Sequence, residues 1–303
     1  MLASLTKIIF VLFALTALVA CAQHVRNSGS SGLASKPDGA LRVATHNVHY
    51  IWLGKDGGAW SVADWERRKA AMDAAFKTID ADLIAFQEME SFDFGSDRNI
   101  NLTRDWLTSQ NSDYALAAHG PAETFPPTQP IFYRKDRLNM LDQGWFFFSD
   151  TPDVIYSRTF NGSFPAFASW AMMQDRKSGA QFYAINLHFE FKSATNRQLS
   201  AALVAKRIAP WISEGTPVIL LGDLNARKGA KTLQILGAAG ITFAPVKGAT
   251  YHLNRGANLF GAIDHIGVAN GTTPLSAPMV LRETFDGVWP SDHYPVALDL
   301  RLP

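Results

Sequence analysis

The sequence predicts a mixed α and β fold in one large domain, and three observations carry that reading. Short apolar runs such as Val218-Ile219-Leu220-Leu221 are rich in β-branched residues and suit strands buried on both faces. Stretches with apolar residues at helical spacing alternate with those runs along the chain. At 303 residues, 47% apolar and 12% aromatic, the chain can bury a sizeable core, and no internal repeat divides it.

Before that domain, Lys7 precedes the apolar stretch Ile8 to Ala20, which has the charge order and length of an export signal. Leu18-Val19-Ala20-Cys21 resembles the lipobox of bacterial lipoproteins, in which the cysteine is acylated and becomes the new N-terminus. Residues 1–21 are then a lipoprotein signal peptide, and Cys21 anchors the protein to a membrane of the bacterial cell envelope, on its periplasmic or cell-surface side. Two acyl signals make such attachment stable. Plain cleavage after Ala20-Cys21-Ala22 also fits and would release a secreted protein. Residues 22–40, with Asn27-Ser28-Gly29-Ser30-Ser31-Gly32, read as a flexible linker. Cys21 is the only cysteine, so no intrachain disulfide forms.

From Leu41 the elements follow in order. Leu41 to Val48 alternates as a strand and delivers Asn47 to its end. Ser61 or Asp64 caps a helix over roughly 64–79, whose stripe of Trp65, Ala71, Met72, Ala75, Phe76 and Ile79 belongs to the core. Asp82-Leu83-Ile84-Ala85-Phe86-Gln87-Glu88 is a buried strand closing on a carboxylate. Ile100 to Leu107 suits a helix, and the four prolines between Pro121 and Pro130 mark a loop. Ile131 to Arg134 and Trp145 to Phe148 read as strands paired around the turn Lys135-Asp136-Arg137. Their aromatic residues suit packing in a sheet sandwich, with a seat for a lipid or a base as the alternative. Residues 150–166 form a loop suited to a substrate rim. Ala180 to His188 is a strand ending in histidine, followed by a helix from Thr195 to about Ile212 with Leu199, Ala202, Leu203 and Ile208 facing inward. After the strand at 217–222 come a short helix over 231–237, a loop at Thr250-Tyr251-His252, and a strand at 262–268 that carries Asp264. A turn, Pro290-Ser291-Asp292-His293, leads into the last strand, Val296 to Leu300.

The strand ends share one chemistry. Gly222 is followed by Asp223 and Asn225, which stand two apart and leave an extended chain on the same side. Asn47, Glu88, His188, Asp264, Asp292 and His293 occupy comparable positions. An oxygen-rich set suits a hard cation such as Mg²⁺, Mn²⁺ or Ca²⁺, whereas zinc asks for more nitrogen or sulfur. The histidines and carboxamides remain to hold an anion, a combination that suits metal-assisted phosphoryl chemistry.

Taken in order, Thr45-His46-Asn47-Val48, Gln87-Glu88, Asn186-Leu187-His188, Gly222-Asp223-Leu224-Asn225, Ile263-Asp264-His265-Ile266 and Ser291-Asp292-His293-Tyr294-Pro295-Val296 resemble the endonuclease/exonuclease/phosphatase superfamily of DNase I-like metal-dependent phosphoesterases. The resemblance covers residues 41–303. It implies an α+β fold, a four-layer α/β/β/α sandwich in which two packed β-sheets carry helices outside. It also implies that Asn47, Glu88 and Asp292 surround a metal ion, Mg²⁺ by expectation. Asp223 would orient or deprotonate the attacking water, Asn225 would position the phosphate, His188 and His293 would contact its oxygens, and Asp264 would orient His293. His49 stands where some nuclease members have an acid, which puts a second metal in doubt. Glu190 receives no role.

The expected function is therefore a metal-dependent phosphoesterase acting on a diester or monoester, as a monomer. A nuclease of DNA or RNA is one alternative. Bulk charge does not advertise nucleic acid, with 28 Lys and Arg against 27 acids and Lys7 lost with the leader. Lys135, Arg137, Arg227 and Lys228 are the local cations available to it. Another alternative is a phosphodiesterase directed at phospholipid, and a third is an envelope lipoprotein that binds phosphate ligands without turnover.

Overall fold

At the centre of each of two sheets, two parallel strands lie side by side, and each pair is joined by a crossover helix, as parallel neighbours require. Leu41–Asn47 connects through the helix Val62–Ile79 to Leu83–Gln87, and Gln181–His188 connects through Ala194–Ser213 to Val218–Asp223. The computed structural model describes residues 2–29, 32–93 and 100–303, with side chains from residue 8 onward; Met1 of the predicted leader and Ser30 and Ser31 of the predicted linker lie outside the described residues.

The first sheet has seven strands, in the order Thr273–Pro274, Val296–Arg301, Leu41–Asn47, Leu83–Gln87, Ile131–Arg134 and Tyr114–Ala117, with Met279–Val280 also pairing Val296–Arg301. The second has six, in the order Thr242–Phe243, Asp264–Ala269, Val218–Asp223, Gln181–His188, Phe167–Asp175 and Leu138–Phe147. Alternation along each central strand fills two cores at once. Val43, Leu83, Ala85, Ile219, Leu221 and Ile266 meet between the sheets. Ala44, Ile84 and Phe86 turn outward onto Trp65, Met72 and Phe76 of the first crossover helix, and Val218 and Leu220 turn outward onto Ala201, Val204 and Ile208 of the second. The result is an α+β fold of four layers, helix, sheet, sheet, helix.

Local signals account for the helix ends. Ser61 Oγ accepts the Asp64 N–H at 3.1 Å, so serine rather than Asp64 caps the first helix, which ends on Asp80 in the left-handed region. Ser193 caps the second crossover helix, Ala194–Ser213, which starts one residue before the expected Thr195. The turn of that helix also differs from expectation: Leu199 is 45% exposed and Ala202 faces solvent, while Asn196, Ser200, Ala201, Val204 and Ile208 are buried. Asn196 Nδ2 donates to Thr159 Oγ1 at 2.7 Å, so two polar residues occupy the inner face and an apolarity count misplaces the stripe.

The predicted hairpin around Lys135-Asp136-Arg137 does not form. Ile131–Arg134 pairs with Leu83–Gln87 on one side and Tyr114–Ala117 on the other, which leaves it no free edge. The turn instead crosses to the second sheet, where Trp145, Phe146 and Phe147 end a strand beginning at Leu138 and pairing with Phe167–Asp175. Phe146, Phe147 and Phe148 are at most 2% exposed, in keeping with packing rather than ligand seating.

At the N-terminus a helix runs from Leu2 to Ser28, through Cys21 and the first part of the expected linker. The linker is thus not flexible throughout. Lys36 is ion-paired with Asp82 at 3.0 Å, and Arg42 with Asp299 at 2.7 Å, which fixes the entry to the first strand.

Candidate active site

Strand register sets the heart of the site. His188 pairs with Asp223 across the parallel ladder, and Asp223 pairs with Asp264 across the antiparallel one, so three functional side chains stand in a row at one sheet end. On the same face, two residues before Asp223 and two after Asp264, Leu221 and Ile266 lie in the inter-sheet core. The alternation that fills that core therefore aims His188 and Asp223, the last residues of their strands, and Asp264, the first of its own, into the cleft above it. Asn47 and Gln87 are in register on the facing sheet and point inward by the same rule. Gly222 makes the row possible: at φ +151°, a Cβ there would lie 2.0 Å from the Leu187 carbonyl oxygen.

Asp223 is 1% exposed and sits between the two histidines, 3.7 Å from His188 Nε2 and 3.8 Å from His293 Nε2. Burial raises its carboxyl to about 6, reinforced by Asp264 and opposed by His293 and His188. A buried acid near neutrality is suited to accept a proton. His293 Nδ1 faces both oxygens of Asp264, at 3.0 and 3.2 Å. Burial works to lower the imidazole, but the Asp264 charge and hydrogen bond outweigh it and hold His293 well above its ordinary value. Burial works to raise the Asp264 carboxyl, and the His293 charge outweighs it in turn, so Asp264 stays ionised. The pair is an imidazolium held by a carboxylate.

The facing side carries Glu88 and Asp292, whose side chains are each 19% exposed. Glu88 follows its strand at φ +56°, which turns the carboxylate toward His188, 3.8 Å from Nε2. Asn47 Nδ2 donates to Glu88 at 3.0 Å and to Asp223 at 3.2 Å, joining the two sides, while its Oδ1 accepts the His49 N–H at 3.1 Å. Asn47 thus presents its nitrogen, not its oxygen, to the carboxylates. His49 Nε2 lies 4.0 Å from Asp292, and its buried Nδ1 has no hydrogen-bond partner. Two half-buried carboxylates fit a hard divalent cation at the Glu88 and Asp292 side. Asp223, Asp264 and His293 also offer ligand atoms within 4.8 Å of one another. There, however, Asp264 is already engaged by His293, whose own positive charge opposes a cation.

Asn225, in the left-handed region at φ +46°, donates its side-chain amide to the Phe189 carbonyl at 2.9 Å, and its N–H is bound by Asp223 Oδ1 at 2.9 Å. Glu190 accepts the Ser193 N–H and so helps cap the following helix.

With this geometry in hand, the comparison with known proteins is direct. Residues 44–293 match the model of the Endonuclease/Exonuclease/phosphatase family. The chain belongs to that family. Among solved structures, an endonuclease/exonuclease/phosphatase family protein from Bacteroides thetaiotaomicron shares 23% identity over 86% of this chain and 97% of its own, with a TM-score of 0.71. A mannosyl-6-phosphatase from the same organism shares 23% over 86% of this chain and all of its own, at 0.70. The TDP2 of D. rerio, complexed with single strand DNA product, shares 19% over 88% of this chain and 100% of its own, at 0.59. These likenesses are of fold. Among curated proteins nothing matches the chain in sequence.

Several residues of this family member contribute to the site without having been foreseen. Arg68, 1% exposed, donates Nη1 to the Val48 and Pro290 carbonyls and Nη2 to the His49 carbonyl, all at 2.9 Å, tying the Asn47 turn to the Asp292 turn. Its signal was present: an arginine one turn after Trp65 on an otherwise apolar helix face. Ser291 Oγ donates to the Asn47 carbonyl at 2.7 Å. Beneath the site, Gln87 Nε2 donates to Asn186 Oδ1 at 2.6 Å, and Asn186 Nδ2 to the Phe86 carbonyl at 2.7 Å, a satisfied polar contact between the sheets. Tyr251 lays its ring 5.0 Å from that of His293.

Proposed function

We propose that the protein is a metal-dependent phosphoester hydrolase in which Asp223 activates water for attack on phosphorus. The observation that carries the reading is the position of Asp223, buried and raised to about 6, between His188 and His293 and joined to Glu88 through Asn47. Asp223 holds the water and takes its proton as the bond to phosphorus forms and the opposite bond to the leaving oxygen breaks, that oxygen departing with the electron pair and taking a proton from solvent. The His293 imidazolium, fixed by Asp264, and His188 donate to the phosphoryl oxygens as charge builds on them. Asn225 positions the same group. Glu88 and Asp292 would hold Mg²⁺ or a similar cation, with Asn47 joining them only if its amide turns to present Oδ1 in place of Nδ2; the cation would offset negative charge on the phosphate and the leaving oxygen.

The substrate is read as a small phosphoester such as a sugar phosphate. That choice is supported by the greater structural likeness to the mannosyl-6-phosphatase than to TDP2, and by the absence of bulk basic charge. Nucleic-acid cleavage is the second reading, supported by the TDP2 complex. A panel of DNA, RNA, phospholipid and sugar phosphates, assayed with Mg²⁺ and then with excess chelator, tests both. Turnover that survives excess chelator sinks the metal mechanism, and turnover confined to nucleic acid selects the second reading.

Attachment to a membrane of the cell envelope through the N-terminus belongs to the same proposal, supported by the apolar helix Ile8–Ser28, which is long and apolar enough to cross a bilayer. Cys21 is the acylation site. Cys21→Ser is expected to block maturation in a bacterial host; a variant that matures and fractionates as the parent does would remove acylation from the account.

A further inference from the structure

The loop from Thr250 to Gly261 links two regions that have so far been separate. At one end it belongs to the site. Thr250 Oγ1 accepts the N–H groups of Ile263 and Asp264 at 3.0 and 3.1 Å, and Tyr251 forms a backbone bridge with His293. At the other end it holds the N-terminal helix. The Asn258 N–H donates to His24 Nδ1 at 3.1 Å, Asn258 Nδ2 donates to Ser28 Oγ at 3.0 Å, and the neighbouring Ala249 N–H donates to the Asn27 carbonyl at 2.8 Å.

Those bonds fix where the apolar helix leaves the domain. Leu259 and Phe260 line an apolar cleft whose other wall is Leu12, Leu15, Val19 and Ala20. The helix is otherwise uncovered, with Ile8, Phe10, Phe13 and Leu18 each more than half exposed. Such a helix needs an apolar medium around it, which a bilayer supplies. Leu12 to Ala20 spans about 12 Å of helix axis at 1.5 Å per residue. Whatever packs beside that span shares its depth. Where Cys21 is acylated that span is removed with the leader, and the lipid chains would leave the protein three residues before His24, which the loop holds through Asn258.

The loop's surface suits that depth. Phe260 is 40% and Leu253 39% exposed, and the exposed cations Arg227, Lys228 and Arg255 stand in the same or adjoining loops, with Arg227 over the Phe260 ring at 5.5 Å. Apolar tips with cations at their base fit the boundary between acyl chains and anionic headgroups.

We propose that this loop is a bilayer-contacting element: Leu253, Leu259 and Phe260 enter the headgroup region of an anionic membrane, Arg227, Lys228 and Arg255 meet its phosphates, and the site beside Tyr251 opens at the membrane surface. The proposal rests on the membrane attachment put forward above.

The test uses the full chain with Cys21→Ser, so that a single introduced cysteine carries a nitroxide label. It is reconstituted into vesicles of phosphatidylglycerol and phosphatidylethanolamine and recovered by flotation. Labels are placed at Phe260→Cys, at Leu253→Cys as a second site on the loop, and at Leu141→Cys. Leu141 is 47% exposed on the strand at the far side of the second sheet, four strands from Asp264–Ala269. Collisions with oxygen should exceed those with an aqueous nickel chelate at 260 and 253, and the order should reverse at 141. Floating protein whose labels at 260 and 253 behave as the one at 141 does would overturn the loop's role and leave attachment standing. Protein that fails to float would overturn anchoring through the apolar helix, and the loop's role with it.

Discussion

Replacing Asp264 with asparagine removes one negative charge from beside His293 and keeps the shape of the side chain. The two carboxylate oxygens lie 3.0 and 3.2 Å from Nδ1, and the residues are 1% and 6% exposed. At that separation and an effective dielectric of about 20, unit charges interact by roughly 5 kcal/mol, against a desolvation cost of opposite sign. Without Asp264, His293 keeps the weaker pulls of Asp223, 3.8 Å from its other nitrogen, and of Asp292, and burial then favours the neutral ring. The phosphate loses a charged donor. Loss of one such donor costs about 2.7–4 kcal/mol of barrier, or on the order of 10² to 10³ in turnover. His293→Ala should cost as much, and the double variant should lie within about tenfold of the worse single one, because a group and its orienting partner act as a unit. The assay is initial rate on one soluble phosphoester at fixed Mg²⁺, with thermal unfolding of each variant to show that the fold persists. Losses that multiply, to on the order of 10⁴ or more in the double variant, would refute the pairing and leave Asp264 a structural residue.

Asp223→Asn is expected to lower turnover by on the order of 10² to 10⁴, the reach of a general base, with metal affinity measured by titration calorimetry nearly unchanged; a loss confined to metal binding would contradict its assignment. Arg68→Met leaves the carbonyls of Val48, His49 and Pro290 without their buried donor and should destabilise the protein by about 3–5 kcal/mol in urea unfolding. A change below about 1 kcal/mol would show that these turns hold themselves. His252 is fully buried, with its ring 4.0 Å from that of Tyr294, and burial lowers it to about 4. The unfolded chain, with histidine near 6.5, binds a proton that the folded form refuses between those values, so stability should be full above about 6.5 and fall as pH drops toward 4, by up to about 1.4 kcal/mol per pH unit. His46, lowered to about 3 by burial, acts in the same direction. Unfolding at several pH values in His252→Phe should give a flatter slope than in the parent, and an unchanged slope would remove His252 from the account.

The candidate site residues were legible because most of them stand at or just past one end of a strand. Burial of both strand faces demands a continuous apolar run, and the first polar residue after it marks the sheet end where a ligand can enter. That reasoning locates Glu88, His188 and Asp223 without coordinates, whereas Asn47 closes an alternating strand and Asp264 opens the strand Asp264–Ala269. It also predicts the crossover helices, whose apolar spacing is local information.

What the chain order could not supply is which strands become neighbours. Ile131–Arg134 and Leu138–Phe147 are separated by three residues yet lie in different sheets, because an inner strand with two partners has no edge left for a hairpin. The inward face of Ala194–Ser213 was misplaced for a related reason: buried Asn196 is satisfied by Thr159 and Asn161, more than thirty residues earlier, and buried Ser200 in turn donates to Asn196. Arg68 beneath the site and the contact of Gln87 with Asn186 depend likewise on groups that only the packed sheets bring together. A sequence states the polarity of each side chain, and that is enough to say which residues must be buried or satisfied. The identity of the partner is a property of two surfaces, and it exists only once the two sheets have met.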